Sequence, residues 1–363
     1  MAAGQLSLLI IGSHTVMGHL LIVPLVFDEA GRDAWLSLLI ALIPGCLLAL
    51  VLAGLNRYAP GQSLAEVFSL LGRPLGVIAT LVYTSYFLLL PALTLRGLMD
   101  FMKTVFMPQT PSMIFGFLFL SVCGYAAYIG LESFSRANSL LMPLLIMAGL
   151  TAAVMALPDK DYRLLLPALE KGIQPPLLGS LPLLGLLGEM VAFGMILPSV
   201  KRSAYLWRVL LLSVITIGLL FIGPLTGPIA MFSEEVIIKY DYPTYNEFRY
   251  GRFLVHFQSL AVFLWLGGNL GRITFFFYVS ALGLSRLTGQ KEHRKLVAPV
   301  GVIILLLAAF AFPTLDRVKW FLSTVYPILG IGLGVVLPTI LLILLMFKKR
   351  KKMGKSYLMK KCQ

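Results

Sequence analysis

The chain has 363 residues, of which 58% are hydrophobic and only 13% charged, with a mean hydropathy of +0.89. A soluble domain carries roughly 25% charged residues, so lipid must be the solvent for most of this sequence. The net charge of +14 would suit a nucleic-acid binder, but its placement in short loops and a C-terminal tail argues against nucleic acid as a partner.

Ten apolar stretches fall near 6–27, 35–55, 76–95, 112–131, 137–157, 180–198, 205–228, 253–282, 296–313 and 320–346. Most are about 20 residues, the length that a roughly 30 Å hydrocarbon core demands. The third can run on past Arg96 to Phe106, and the eighth is long enough to tilt. Met1 to Leu6 carries no basic residue and leads straight into a full span, so the first helix is expected to persist rather than be cleaved as a signal. An even number of spans puts both termini on one side. That side holds 18 of the 30 basic residues, and 12 of the 16 acidic residues fall opposite. The positive-inside rule then places both termini in the cytosol of a multi-pass membrane protein. The tail FKKRKKMGKSYLMKK reads as an anchor at anionic lipid.

Residues 1–347 therefore form one membrane domain, with repeats over about 6–157 and 180–346, followed by a basic cytosolic tail at 348–363. The loop from Pro158 to Gly179 is expected to lie on the membrane surface as short helical pieces. The loop EEVIIKYDYPTYNEF is expected to cap the outer face of a pocket. Cys46, Cys123 and Cys362 make no disulfide framework.

The first and sixth stretches share an interruption. One reads GSHTVMGHLLIVP, with Gly12, Gly18 and Pro24; the other reads GEMVAFGMILP, with Gly188, Gly194 and Pro198. Glycine costs a helix interior about 1 kcal/mol and proline about 3. Both glycine pairs are offset by 176 residues. Two flawed spans, each leading a set of five, predict an all-α five-plus-five inverted repeat. Helices 1 and 6 are then expected to be broken around a small-molecule site.

Glu189 stands in the middle of the sixth stretch, where a charge costs about 2.5–3.5 kcal/mol on insertion scales and so should face a cavity or partner. It can bind a ligand's amino group, carry a proton, or simply bond a neighbouring backbone while protonated. Arg272, in LGGNLGRITFFFY of the eighth stretch, can substitute for a sodium ion between spans one and eight, or snorkel to head groups. The sequence leaves open whether the two meet. Ser13, His14 and Thr15 offer donors and acceptors at the first interruption; Ser13 and Thr15 can equally bond carbonyls one turn back. Tyr86 on span three, and Thr274 and Tyr278 on one face of span eight, are candidates to line the pocket or to glue helices. With Gly12, Gly18, Gly188, Phe193 and Gly194 they complete the expected ligand-binding set, and Glu189 and Arg272 are the expected ion- or proton-coupling pair. No metal, cofactor or catalytic motif is visible, so no enzymatic activity is expected.

AGRDAWLSLL (Ala30 to Leu39), TLRGLMDFMKTVFMPQTP (Thr94 to Pro111), LLLPALEKGIQPPLLG (Leu164 to Gly179), GEMVAFGMILPSV and YPTYNEFRYGRF (Tyr242 to Phe253) occur in this order along nearly the whole chain. In these stretches the sequence resembles the B subunits of bacterial spore germinant receptors. These are GerAB-like members of the amino acid–polyamine–organocation transporter superfamily. The family pattern often has lysine near Arg272, a conservative departure. The resemblance implies a leucine-transporter-like fold of ten helices. It also implies a small germinant, typically an amino acid, bound amid spans one, three, six and eight. A-type and C-type receptor subunits would be partners in the spore inner membrane, with binding triggering germination. The residues themselves leave two other readings: a proton-coupled amino acid permease with Glu189 as carrier, and a scaffold with a vestigial pocket.

Overall fold

The computed structural model describes residues 1–201, 205–290 and 292–348. Arg202 and Lys291, both counted in the charge asymmetry, and the tail beyond Lys348 lie outside the described residues. Among the described residues every regular element is helical.

The chain opens with α1 (Ala3–Met17), a π-helical segment Gly18–Ile22, α2 (Val23–Ala30) and α3 (Ala34–Tyr58). These count as one apolar stretch of 56 residues, the first of nine long and apolar enough to cross a membrane among the described residues. A straight helix of that length would extend about 84 Å, far beyond a hydrocarbon core of roughly 30 Å. Gly31 resolves the conflict. Its φ of +52° breaks the helix into two arms, each of crossing length. A side chain there would also collide with Glu234.

The capping box of Ser63 and Glu66 starts the short α4 (Leu64–Ser69). Next come α5 (Arg73–Val105), α6 (Ser112–Ile129) and α7 (Leu131–Met155). As expected, α5 runs beyond Arg96. The loop after α7 carries two short 3₁₀ turns, Leu157–Asp159 and Tyr162–Leu165, in keeping with the expected helical pieces. Then come α8 (Gln174–Gly188), α9 (Leu206–Phe232), the short α10 (Glu234–Ile237) and α11 (Pro243–Tyr250), α12 (Gln258–Thr288) and α13 (Val297–Leu306). The chain ends on α14 (Leu315–Thr324), α15 (Tyr326–Leu329) and a π-helical segment Gly330–Val336 within the last apolar stretch, Tyr326–Lys348. The tenth span was expected from residue 320. Instead α14 is separate, because Pro327 has no N–H to bond the Ser323 carbonyl and sits in the first turn of a new helix, α15.

The two expected breaks take different forms, and one expectation fails. The first helix is not broken. Gly18 and Val23 keep right-handed helical dihedrals, and the Val23 amide bonds the Gly18 carbonyl, so the turn widens into a π-helix without unwinding. The sixth stretch does change course: α8 ends at Gly188, and Glu189–Met195 tightens into 3₁₀ geometry. Glu189 therefore stands at the junction of two helical types.

Glycines bring α8 against the last apolar stretch. A Cβ at Gly188 would lie 2.2 Å from the Gly330 carbonyl, one at Gly330 2.5 Å from Gly185 Cα, and one at Gly334 2.4 Å from the Gly188 carbonyl. The two backbones touch without side chains between them.

On the face bearing the long loops, Arg32 bonds Glu234 and the Leu166 carbonyl, Lys171 also reaches Glu234, and the Leu169 amide donates to Asp33. Asp159 pairs with Arg252. These ties hold the 158–172 loop against α10 and the start of α3.

Candidate functional site

Glu189 and Arg272 meet. The guanidinium, midway along α12, holds the carboxylate with two hydrogen bonds, Nη1 to Oε2 at 2.7 Å and Nη2 to Oε1 at 2.8 Å. Both side chains are fully buried. Arg272 Nε donates to Thr94 Oγ1 of α5 at 2.9 Å, and Nη1 also donates to the Ser13 carbonyl of α1. Tyr326, at the start of α15, donates its hydroxyl to Glu189 Oε1 at 2.6 Å. The Phe276 ring lies 4.8 Å below the guanidinium. Five helical segments thus converge on one ion pair.

This arrangement excludes two of the readings open at the outset. Arg272 does not snorkel, since its charge is spent at the centre. Glu189 does not bond a neighbouring backbone; it accepts from Arg272 and Tyr326. A bidentate arginine–carboxylate pair is among the stronger charged hydrogen-bond geometries. Removing one partner of such a buried pair typically costs about 3–5 kcal/mol, because the other charge is left without compensation.

Around the pair lie several of the expected residues. Phe193 stacks on Phe275 with centroids 4.2 Å apart, and the His14 ring lies 6.1 Å from Phe193. His14 Nδ1 sits 2.8 Å from the Ile10 carbonyl, which it can meet only as a donor. Its Nε2 is buried and unpartnered, as is the Tyr86 hydroxyl. Ser13 joins the site through its carbonyl, while its hydroxyl bonds Ile10 one turn back; Thr15 likewise bonds Ile11. The local reading of these two hydroxyls is therefore correct.

Other expected residues lie elsewhere. Thr274 follows Arg272 by two positions, roughly 200° around the helix, and so leaves α12 on nearly the opposite side. Tyr278 packs its ring on Phe134 at 5.8 Å and His293 at 4.9 Å, away from the ion pair. Gly12 makes room for Met142, Gly18 for Phe221 and Gly194 for Leu64, while Gly188 makes room for Gly330. These glycines serve helix packing. Thr94 and Tyr326 were missed from the sequence. The run Gly330, Gly332, Gly334 beside Tyr326 was the available sign that a neighbour comes close there.

Among the described residues no group of three or more His, Cys, Asp or Glu gathers to hold a metal. The centre offers one fixed cation, one fixed anion, a phenol and a stacked aromatic wall. This donor set can recognise a small molecule carrying both charges.

An all-helical bundle of this kind, with one ion pair at its centre, has a counterpart of known structure. The solved structure of MhsT in complex with L-phenylalanine superposes with a TM-score of 0.65 at 16% identity, covering 95% of this chain and 97% of that one. The fold is leucine-transporter-like.

Residues 1–314 match the spore germination protein family, and the chain belongs to it. Spore germination protein XB of Bacillus anthracis is 27% identical over 96% of this chain and 98% of its own length. Spore germination protein KB of Bacillus subtilis is 25% identical over 89% of each, and YndE of the same organism is 22% identical over 88% of each.

Proposed function

We propose that this protein is the membrane subunit of a spore germinant receptor. It binds a small germinant, an amino acid, at the centre of a transporter-shaped bundle and passes the event to A-type and C-type partner subunits. The bundle crosses the membrane ten times, with both termini in the cytosol. The spore inner membrane is its location, and no catalysis is proposed.

The observation that carries this reading is the Glu189–Arg272 pair, fully buried where α1, α5, α8, α12 and Tyr326 meet. An α-amino acid presents an ammonium and a carboxylate, the complements of Glu189 and Arg272. Entering between them, it exchanges one ion pair for two, so the desolvated charges stay compensated. The amino acid class is carried over from MhsT, seen with L-phenylalanine. A germinant acts as a signal by binding one of two conformations more tightly than the other. In the closed form Arg272 draws Ser13, Thr94 and Glu189 together. A ligand that takes Arg272 for its own carboxylate loosens that closure.

The permease alternative uses Glu189 as proton carrier, and it requires Arg272 to release the carboxylate in every cycle. The test for binding is a thermal-shift screen of the purified protein against amino acids, nucleosides and sugars. A stabilising amino acid whose effect vanishes in Arg272→Met and Glu189→Gln supports the reading; stabilisation by sugars or nucleosides alone sinks it. Uptake of labelled amino acid into proteoliposomes under a pH gradient, lost in Glu189→Gln, would instead establish the permease.

A further inference from the structure

A second cavity lies toward the loop face, bounded by α1, α7, α9, α11 and α12. Its volume is about 370 Å³, within the roughly 300–1,000 Å³ of small-molecule sites. Neither Glu189 nor Arg272 lines it. Its body is apolar, with Met142, Leu145, Leu220, Phe248 and Trp265 in the wall. Leu150, Leu219 and Ile222 also line it while being exposed on the apolar outside of the bundle, so it opens sideways between α7 and α9. Gly149 and Gly223 belong to the same lining, and a Cβ added at either meets nothing within 4 Å.

The polar groups gather toward the loops. Lys160 and Glu247 lie 3.2 Å apart with side chains only 3% and 9% exposed. They rest against the bare backbone of Gly227, where a Cβ would stand 2.4 Å from both Glu247 Oε1 and Lys160 Nζ. Glu247 Oε1 is held by its ion pair with Lys160 and keeps lone pairs free toward the cavity. Thr244 Oγ1 and His19 Nε2, in the same lining, are buried without partners. Buried polar atoms are nearly always hydrogen-bonded, so two unpartnered ones beside a buried ion pair, all around one cavity, point to a guest that supplies the missing bonds.

We propose that this cavity binds a small neutral hydrophobe bearing a single hydroxyl, which enters from the bilayer between α7 and α9. Lys160 and Glu247 already cancel each other's charge. A cationic head would stand beside Lys160 and an anionic head beside Glu247, each in a poorly screened site. A hydroxyl avoids both repulsions. It donates to Glu247 Oε1 and accepts from the Thr244 hydroxyl, while its apolar body lies along Leu145 and Leu220. The occupant also touches Thr15 and Val16, within one helical turn of the Ser13 carbonyl that holds Arg272. Occupancy therefore bears on the helix that closes the centre.

The test is photolabelling of the full chain in nanodiscs with a diazirine-bearing octanol, with adducts mapped by mass spectrometry. Adducts concentrated on α7, α9 and α12 cavity residues, suppressed at least tenfold by excess octan-1-ol, are expected. Octane and octylamine should suppress them far less. Gly149→Phe and Gly223→Phe add rings at lining positions where the first side-chain carbon meets nothing within 4 Å, so both should abolish the adducts without shifting thermal denaturation. Adducts scattered over lipid-facing residues and indifferent to competitor or to either variant would mean an adventitious additive only, and overturn the proposal. Equal competition by octane or octylamine overturns the hydroxyl preference. Neither result depends on whether an amino acid binds at the ion pair.

Discussion

The centre of the bundle and its loop-face flank each bury an acid beside a base, but the two are finished differently. At the centre, Glu189 and Arg272 share two aligned bonds, and Thr94, Tyr326 and the Ser13 carbonyl take up further donors and acceptors. At the flank, Lys160 and Glu247 touch at 3.2 Å beside a hollow, with orphaned polar atoms around them. A guest enters the centre only by exchanging bonds already made there, whereas the flank leaves room for one as it stands. The centre should therefore dominate stability and gate the response. The flank should tolerate change and respond to what fills it.

The largest effect is expected from cutting the centre. Arg272→Met should destabilise the protein by about 3–5 kcal/mol, because it strands a carboxylate in a dry interior. The double variant Arg272→Met with Glu189→Gln should recover much of that loss. Thermal denaturation in detergent measures both; a double variant no better than the single would show that the pair is not coupled.

Next comes Gly188→Ala. The added methyl carbon meets the Gly330 carbonyl 2.2 Å away, a backbone atom that cannot step aside. A loss of about 1–3 kcal/mol is expected from such overpacking, while Gly223→Ala, which meets open space, should be near neutral. Equal melting of the two variants would remove the packing role assigned to Gly188.

Gly227→Ala tests the flank. Its methyl displaces the ends of two side chains, which can yield, so its cost should be smaller than that of Gly188→Ala; a Tm drop as large would make the flank pair as rigid as the centre. The smallest effect belongs to Glu234→Gln on the loop face. Partly exposed ion pairs contribute about 0–1 kcal/mol. Burial raises the Glu234 carboxyl, but hydrogen bonds from Lys171 and Arg32 outweigh it and leave it below the ordinary glutamate range. A lowered folded-state value stabilises above that range, and the benefit is lost as pH falls through it. Acid should thus weaken the wild type slightly more than Glu234→Gln. Parallel Tm-versus-pH curves would mean that this tie contributes nothing.

Much of the fold was legible in the sequence because lipid permits so few alternatives. Apolar runs of spanning length can only be helices, and a lone Glu189 and Arg272 among them had to find partners. That they find each other was not legible, since their meeting depends on which faces of α8 and α12 converge. Thr94 and Tyr326 escaped notice because threonine and tyrosine commonly serve as helix glue. The glycines misled for a physical reason. Gly12 and Gly18 weaken a helix on its own, but here Met142 and Phe221 fill the space they leave, and α1 keeps its hydrogen bonds. The same residue type serves an unwound turn and a tight crossing, and only the neighbours decide. Tyr278 was assigned to the pocket from its spacing to Thr274, whereas its ring belongs to a cluster with Phe134 and His293.

At Gly188, Gly330 and Gly334 the main chains of α8 and the last apolar stretch meet with no side chain between them. Two main chains in direct contact cannot slip past one another by a change of rotamer, so they behave as one stiff lever. A tilt of α8 that moved the two together would carry Tyr326 along with the Glu189 carboxylate it bonds. A displacement at the carboxylate would thereby be carried into the whole of the last apolar stretch, Tyr326–Lys348.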